Sequence, residues 1–157
     1  MNAHNTAEAA EILNLLLQFF GDGERWVKGR LSDRRGKCCL VGALDAVGRH
    51  HATGSEVAER YLADAIADLR DQHLSCREGD VDYARLRAAL RRAARGEWYQ
   101  ASEAVLRRDS LADFNDGCHD FTELRALIEQ ARAQAKKDAI SRTRPRLGVE
   151  SGELVMA

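Results

Sequence analysis

The chain is poor in proline, with only Pro145 among its 157 residues. Proline inside a helix removes a backbone hydrogen bond and clashes with the preceding turn, so its absence before residue 145 permits long helices. The sequence also lacks an apolar run of the roughly 18 residues that cross a membrane, and its polar N-terminus lacks the pattern of a secretory signal. We therefore expect an all-α, cytoplasmic protein without membrane contact.

A strong charge of either sign is missing too, because 24 Lys and Arg residues are balanced by 25 Asp and Glu residues. No global field therefore attracts nucleic acid or an acidic membrane. The four cysteines, in a chain without an export signal, are expected to be reduced thiols. A phosphate-binding Gly-rich loop, H-E-x-x-H and G-x-S-x-G are all absent, which removes sequence support for the chemistries they carry.

Apolar residues at helical spacing predict three helices in the front half of the chain. A capping box headed by Asn5 opens the first helix, which ends at Gly21, and the second helix spans about 38–50. A second capping box, Thr53-Gly54-Ser55-Glu56, opens the third helix. The residues predicted to be buried are Ile12, Leu13, Leu16, Leu17, Phe20, Leu40, Val41, Leu44, Val47, Val57, Tyr61, Leu62, Ala65, Ile66 and Leu69.

The same periodicity predicts helices over 81–95 and 97–108 in the back half, followed by an irregular segment at 111–119. Asp120-Phe121-Thr122-Glu123 then has the form of a helix cap. The core residues predicted for this last helix are Leu124, Leu127, Ile128 and Ala131.

The predicted architecture is a compact all-α bundle of five or six helices with one irregular loop, residues 25–36. Trp26 anchors this loop, which has room for a short strand or a turn of helix. We predict a single domain over 1–140, with 75–108 as a candidate insertion. From 141 to 157 the lost periodicity predicts a loose tail.

Three short motifs carry a resemblance to a known family. They are Trp26 followed by Gly29, then Gly36-x-x-Cys39-x-x-Gly42-Ala43-Leu44, and finally Phe114-Asn115-Asp116 shortly before a capped helix. Together they resemble a family of small uncharacterised bacterial and phage proteins whose pattern is G-W, G-x-x-C-x-x-G-A-L and W-N-D. The resemblance covers the front third and residues 111–135, and it implies a shared fold unit without implying an activity.

The sequence departs from that pattern at three places. Phe114 replaces the usual tryptophan, Thr122 lies about one residue out of register, and residues 75–108 form the candidate insertion. We expect Trp26 and Phe114 to close over the start of the second helix. The resulting ligand cleft would be lined by Trp26, Gly36, Cys39, Phe114, Asn115 and Asp116. The leading interpretation is a non-enzymatic accessory protein that binds a protein partner, through this cleft or an arginine-rich helical face.

A thiol-dependent hydrolase or acyl transferase is the competing interpretation. Cys39 at a helix start would be the nucleophile, His119 the base and Asp116 the residue that orients it. A cysteine at a helix start is also a common buried hydrophobe, and Asn115 and Asp116 are ordinary turn and cap residues. The structural interpretation is therefore the leading one.

A metal site has weak support in the sequence. Soft ligands are present, namely Cys38, Cys39, His73, Cys76, Cys118 and His119. Their spacings, however, lack the paired chelating units of zinc sites, and His50-His51 is better interpreted as a helix cap. We predict no metal and no cofactor.

Nucleic-acid binding through residues 85–108 is the third interpretation. This segment carries the aromatic pair Trp98-Tyr99, and residues 25–37 add six more basic residues. The basic residues of the segment are Arg85, Arg87, Arg91, Arg92, Arg95, Arg107 and Arg108. Such a row is also typical of a solvated helix face, and an acidic protein could use it equally well. The sequence leaves the oligomeric state open.

Overall fold

The computed structural model describes residues 2–74 and 103–143. Within these ranges the chain forms five helices: α1 (Ala3–Phe20), α2 (Leu40–Val47), α3 (Ala52–Leu74), α4 (Glu103–Gly117) and α5 (Phe121–Thr143). The predicted all-α class is confirmed. In the described residues the irregular loop holds two isolated bridges and no strand. The helix predicted over 81–95 lies outside the described residues, as does the start of the one predicted over 97–108.

The helices share one apolar core. α1 packs along α5 and also contacts α2 and α3, while α3 packs against α4 and α5. The apolar stripes predicted for α1, α2, α3 and α5 form this core, with Leu17, Val47 and Leu69 partly buried at its edge. The stripes are correct because burial of one face, repeated every three or four residues, is what stabilises such helices.

The start of α1 differs from the prediction. Asn2, not Asn5, is the N-cap, and its side-chain oxygen accepts the Asn5 amide at 2.9 Å. The earlier cap lets the Thr6 hydroxyl donate to the Asn2 carbonyl at 2.9 Å, which satisfies a fully buried polar group. The end of α1 at Gly21 is confirmed.

Helix α2 is shorter than the predicted span of about 38–50. The Cys38 amide donates to the Arg25 carbonyl at 2.7 Å, so Cys38 pairs with the preceding loop instead of joining the helix. Cys39 is extended and acts as the N-cap, and Gly48 ends the helix. The third helix likewise starts at Ala52, so Thr53 lies within its first turn and is not its cap.

The segment predicted to be irregular, 111–119, is helical as far as Gly117. The prediction was wrong because the buried positions of α4 are Arg107, Leu111 and Asn115, a polar mixture without an apolar stripe. The cap of α5 is confirmed, since the Asp120 carboxylate accepts the Glu123 amide at 3.3 Å. Helix α5 continues to Thr143, three residues past the predicted domain edge at 140.

Ion pairs join α4 to its neighbours, and the pair formed by Arg107 and Glu59 is buried. Glu59 of α3 is 6% exposed and accepts hydrogen bonds from Arg107 at 3.3 Å and from Arg108 at 3.0 Å. Arg108 also binds both carboxylate oxygens of Asp45 on α2, at 2.9 and 2.8 Å. Because a buried charge is costly without its partners, these contacts fix α4 against α2 and α3.

The Tyr61 hydroxyl links α3 to α5 and generates a prediction about alkaline pH. It donates to the Asp138 carboxylate at 2.7 Å, and burial followed by this hydrogen bond raises the pKa of Tyr61 to about 12. The folded state therefore favours the neutral phenol. Its contribution to stability is complete below pH 10, the usual pKa of tyrosine, and is lost as pH rises towards 12.

We predict that the free energy of unfolding falls more steeply between about pH 10 and 12 in the wild type than in Tyr61→Phe. At pH 7 the variant should be about 1 kcal/mol less stable because it lacks the hydrogen bond. Urea unfolding at a series of pH values measures both effects. Parallel pH curves for the two proteins would contradict the assignment.

Candidate binding site at the clamped loop

Residues 21–39 connect α1 to α2, and we call this segment the clamped loop. Its two ends are joined by backbone hydrogen bonds, in which the Val27 amide donates to Cys38 at 3.1 Å and the Cys39 amide donates to Leu31 at 3.1 Å. Because these residues belong to neither a helix nor a sheet, such bonds provide the partners that their backbone N–H and C=O groups need. The loop therefore has a defined path without regular secondary structure.

Asn115, in the last turn of α4, holds this path from the other side. Its side-chain oxygen accepts the Trp26 indole N–H at 2.8 Å and the Leu40 amide at 3.0 Å. Its side-chain nitrogen donates to the Val27 carbonyl at 3.2 Å and to Asp116 at 3.1 Å. The residue is fully buried, and all four hydrogen-bonding positions of its amide are used.

Asp116 fixes the next part of the loop. Its Oδ1 atom accepts the Gly29 amide at 2.9 Å, at a point where Gly29 has a φ of 74°. That left-handed conformation is easily adopted by glycine and costs other residues steric strain. Trp26 binds Asn115, and Gly29 binds Asp116. The first and last sequence motifs, which lie far apart in the chain, are therefore in direct contact.

Gly42 explains the spacing of the remaining motif, Gly36-x-x-Cys39-x-x-Gly42. A Cβ atom added at this position would lie 2.1 Å from the Leu31 carbonyl oxygen, so only glycine allows the loop backbone to cross α2 there. The same carbonyl accepts the Cys39 amide. The Leu31 carbonyl group thus contacts α2 at two residues: it accepts the Cys39 amide and lies directly against Gly42.

Aromatic packing anchors the base of the loop. The Trp26 and Phe121 rings lie 6.0 Å apart at 50°, and Phe121 in turn lies 5.5 Å from Phe20. Lys28 covers Trp26 with its ammonium group 5.5 Å from the ring centre. Trp26 and Phe114 are each partly buried and pack against the core. A ligand cleft formed by their closing over the start of α2 stays a prediction.

The structure places the proposed catalytic residues in structural contacts. Cys39 is 5% exposed, and its sulfur accepts the Gly42 amide at 3.4 Å as the α2 cap. Asp116 holds Gly29, while the exposed His119 donates its backbone amide to Glu123 at 3.1 Å. These contacts serve the loop and the start of α5. A catalytic role for Cys39, His119 and Asp116 stays a prediction.

The other two described thiols, Cys38 and Cys118, have raised pKa values. Burial raises the pKa of Cys118 to about 11, and burial is the main cause of a raised pKa at Cys38. Both thiols are therefore protonated at neutral pH. Residues 2–74 and 103–143 contain no group of three or more His, Cys, Asp or Glu side chains that could hold a metal ion.

The predicted arginine face is only partly within the described residues. Arg107 and Arg108 are bound to carboxylates of α2 and α3, which leaves them poorly placed for an external partner. The other members of the set, Arg85, Arg87, Arg91, Arg92 and Arg95, lie outside the described residues. In the described part of the chain, no helix is long and apolar enough to cross a membrane.

Sequence reasoning recognised the clamped loop only as a group of basic residues that add to nucleic-acid binding, and it missed the exposed surface that the loop forms. Arg30, Leu31, Arg34 and Arg35 are exposed there, and we call these four residues the loop face. The carboxylate of Asp33 accepts the amides of Arg35 and Lys37, at 2.8 and 2.9 Å. The hydrogen bond from Lys37 is the main cause of a lowered pKa at Asp33. The density of basic residues was a visible signal, but the direction of each side chain was not.

We predict that Asn115→Asp destabilises the protein by about 3 kcal/mol, because a second carboxylate would face the Val27 carbonyl and Asp116. Asn5→Asp is the matched control. It makes the same chemical change in the first turn of α1, where the helix dipole tolerates a negative charge, so we expect a change within about 0.5 kcal/mol. Urea unfolding at pH 7 compares them. If both variants lost the same free energy of unfolding, the Asn115 contacts would not be a major contribution to stability.

Comparison with known protein families gives a match over most of the chain. A model of a family of unknown function (DUF6197) matches residues 4–134, which include the clamped loop, α2 and the last turn of α4. No curated protein and no solved structure matches the chain. Since the family model covers most of the sequence, this protein belongs to the DUF6197 family.

Proposed function

We propose that this protein is a non-enzymatic binding module that contacts a macromolecular partner through the loop face. The observation that carries the proposal is the use of Asn115, a fully buried amide with four internal hydrogen bonds, to hold an irregular loop in place. Function is commonly carried by loops that a rigid scaffold positions. Here the scaffold contacts lie on one side of the loop and exposed side chains on the other.

A loop fixed in advance binds at lower entropic cost than one that must be ordered on binding. Two contacts fix the segment next to the loop face, one from Asp116 to Gly29 and one from Cys39 to Leu31. A third, the turn closed by Asp33, fixes the segment with Arg34 and Arg35. This arrangement supports recognition by a preformed surface.

The predicted cleft divides into two kinds of residue. Cys39 and Asn115 are buried and hydrogen-bonded within the chain, so we assign them a supporting role. Gly36 and Asp116 are exposed and border the loop, where a partner can approach. The partner surface that we propose therefore lies beside the cleft and is made by the loop that the cleft residues hold.

The location and origin of the protein are part of the same proposal. Cys38, Cys39 and Cys118 are free and buried thiols. Such cysteines suit a reducing compartment, which supports a cytoplasmic location. The bacterial or phage origin rests on the resemblance of the motifs alone.

The non-enzymatic part is tested by alkylation of Cys39 with iodoacetamide, in a variant with Cys38, Cys76 and Cys118 replaced by Ser. We expect negligible labelling of the folded protein from about pH 6 to 9 and complete labelling in urea, because the thiol is buried. Unfolding curves of this variant and the wild type establish that it is folded. Fast labelling at pH 7 would favour the thiol-dependent enzyme instead.

The binding part is tested by photo-crosslinking in cells of the organism that encodes the protein. A diazirine amino acid replaces Leu31, which is 59% exposed, or Ile140, which is 58% exposed on α5. We expect discrete adducts from position 31 that disappear when Arg34→Glu and Arg35→Glu are added, and none from position 140. Equal adducts at both positions, or none at position 31, would contradict the proposal.

A further inference from the structure

The loop face has a charge distribution that indicates its partner. Resting on the proposed function, we propose that the loop face binds the sugar–phosphate backbone of duplex DNA, independently of base sequence. The argument uses the charges of the loop, the pairing of the other arginines and the position of Trp26.

The outward charges of the loop face are all positive. Arg30, Arg34 and Arg35 are exposed, and Asp33 is the only acidic residue between positions 30 and 37. The Oδ1 atom of Asp33 accepts two amides of its own turn, so that carboxylate is engaged by the backbone. All three arginines therefore lie in a short stretch of the loop whose single carboxylate accepts backbone amides.

Several arginines on the helices are used differently. Five of them donate to acceptors of the protein itself, namely Arg60, Arg107, Arg108, Arg125 and Arg132. For Arg30, Arg34 and Arg35, the described residues supply no acceptor to the guanidinium group, as is also true of Arg49 and of Arg25, which lies over the Phe19 ring. An external anion would supply the loop face with acceptors that the described residues do not, because the guanidinium fork matches phosphate geometry.

Duplex DNA fits this cluster better than an acidic protein surface. The duplex carries one negative charge per about 1.7 Å of helix axis, so it offers a regular row of phosphates to arginines that are close together in the sequence. The net charge of −1 for the whole chain does not oppose this contact. Screening limits the reach of distant charges to about 8 Å at physiological ionic strength.

A single strand fits less well. Proteins that bind single strands stack bases on exposed aromatic rings. The aromatic residue of the loop is Trp26, which is packed against Phe121, covered by Lys28 and hydrogen-bonded to Asn115. It is therefore not placed to stack a base. Leu31, exposed among the arginines, can instead contact the deoxyribose beside a phosphate.

The proposal is tested by fluorescence anisotropy of the full chain with a labelled duplex of about 20 base pairs, from about 25 to 200 mM NaCl. Three phosphate contacts predict a plot of log K against log [NaCl] with a slope of about −2.7. We expect a dissociation constant of about 10⁻⁴ to 10⁻⁶ M, as for other sequence-independent binding.

A matched pair of variants locates the contact. Arg34→Gln with Arg35→Gln removes two positive charges from the loop face, and Lys136→Gln with Lys137→Gln removes two from exposed adjacent positions on α5. We expect the loop variant to bind at least about tenfold more weakly at low salt, with the slope reduced by about 1.8. The α5 variant should stay within about twofold of the wild type. Thermal unfolding of both variants establishes that they are folded.

Three results would overturn the proposal: no binding to the duplex at the lowest salt, equal weakening in both variants, or equally tight binding to a single strand or to polyglutamate. The photo-crosslinking experiment separates this failure from failure of the proposed function. Position-specific protein adducts at Leu31 without duplex binding would leave the binding module intact and replace DNA by an acidic protein. Nuclease-sensitive adducts at Leu31 together with the salt dependence would support both.

Discussion

The rest of the structure depends on one buried amide, the side chain of Asn115. It joins the last turn of α4 to the first amide of α2, to the Trp26 indole and to the backbone at Val27. A buried amide is tolerated only when its donors and acceptors are paired, so these contacts have to form together. The end of one helix, the start of another and the loop between α1 and α2 are consequently a single structural unit.

This dependence changes the meaning of the motif residues. From the sequence alone, Cys39, Asn115 and Asp116 are predicted to line a ligand cleft, and Gly42 is a residue of the motif that begins at Gly36. In the structure each makes a contact that positions the loop, and in Cys39 the sulfur itself is the helix cap. Residues can be indispensable to a site without touching its ligand, because they define the shape of the surface that does.

Two local signals were read correctly from the sequence, whereas the caps predicted at Asn5 and Thr53 and the long-range polar contacts were not. Gly21 and Asp120 bound helices because capping depends on residues only a few positions away. The Asn115 contacts span 75 to 89 positions, and no local pattern reports such a separation. The helix over 111–117 was missed for a related reason. Its buried face contains Arg107 and Asn115, whose burial is made favourable by partners on other elements.

The same principle governs the charges. A net charge of −1 excludes a strong overall field, yet it averages over two populations of arginine. Arg107 and Arg108 are paired with carboxylates on neighbouring helices, whereas Arg34 and Arg35 follow Asp33, whose carboxylate accepts backbone amides. What matters for binding is the charge left unpaired after folding. Among the described residues, the loop that the buried amide holds in place carries three exposed arginines, which is why we propose it as the binding surface.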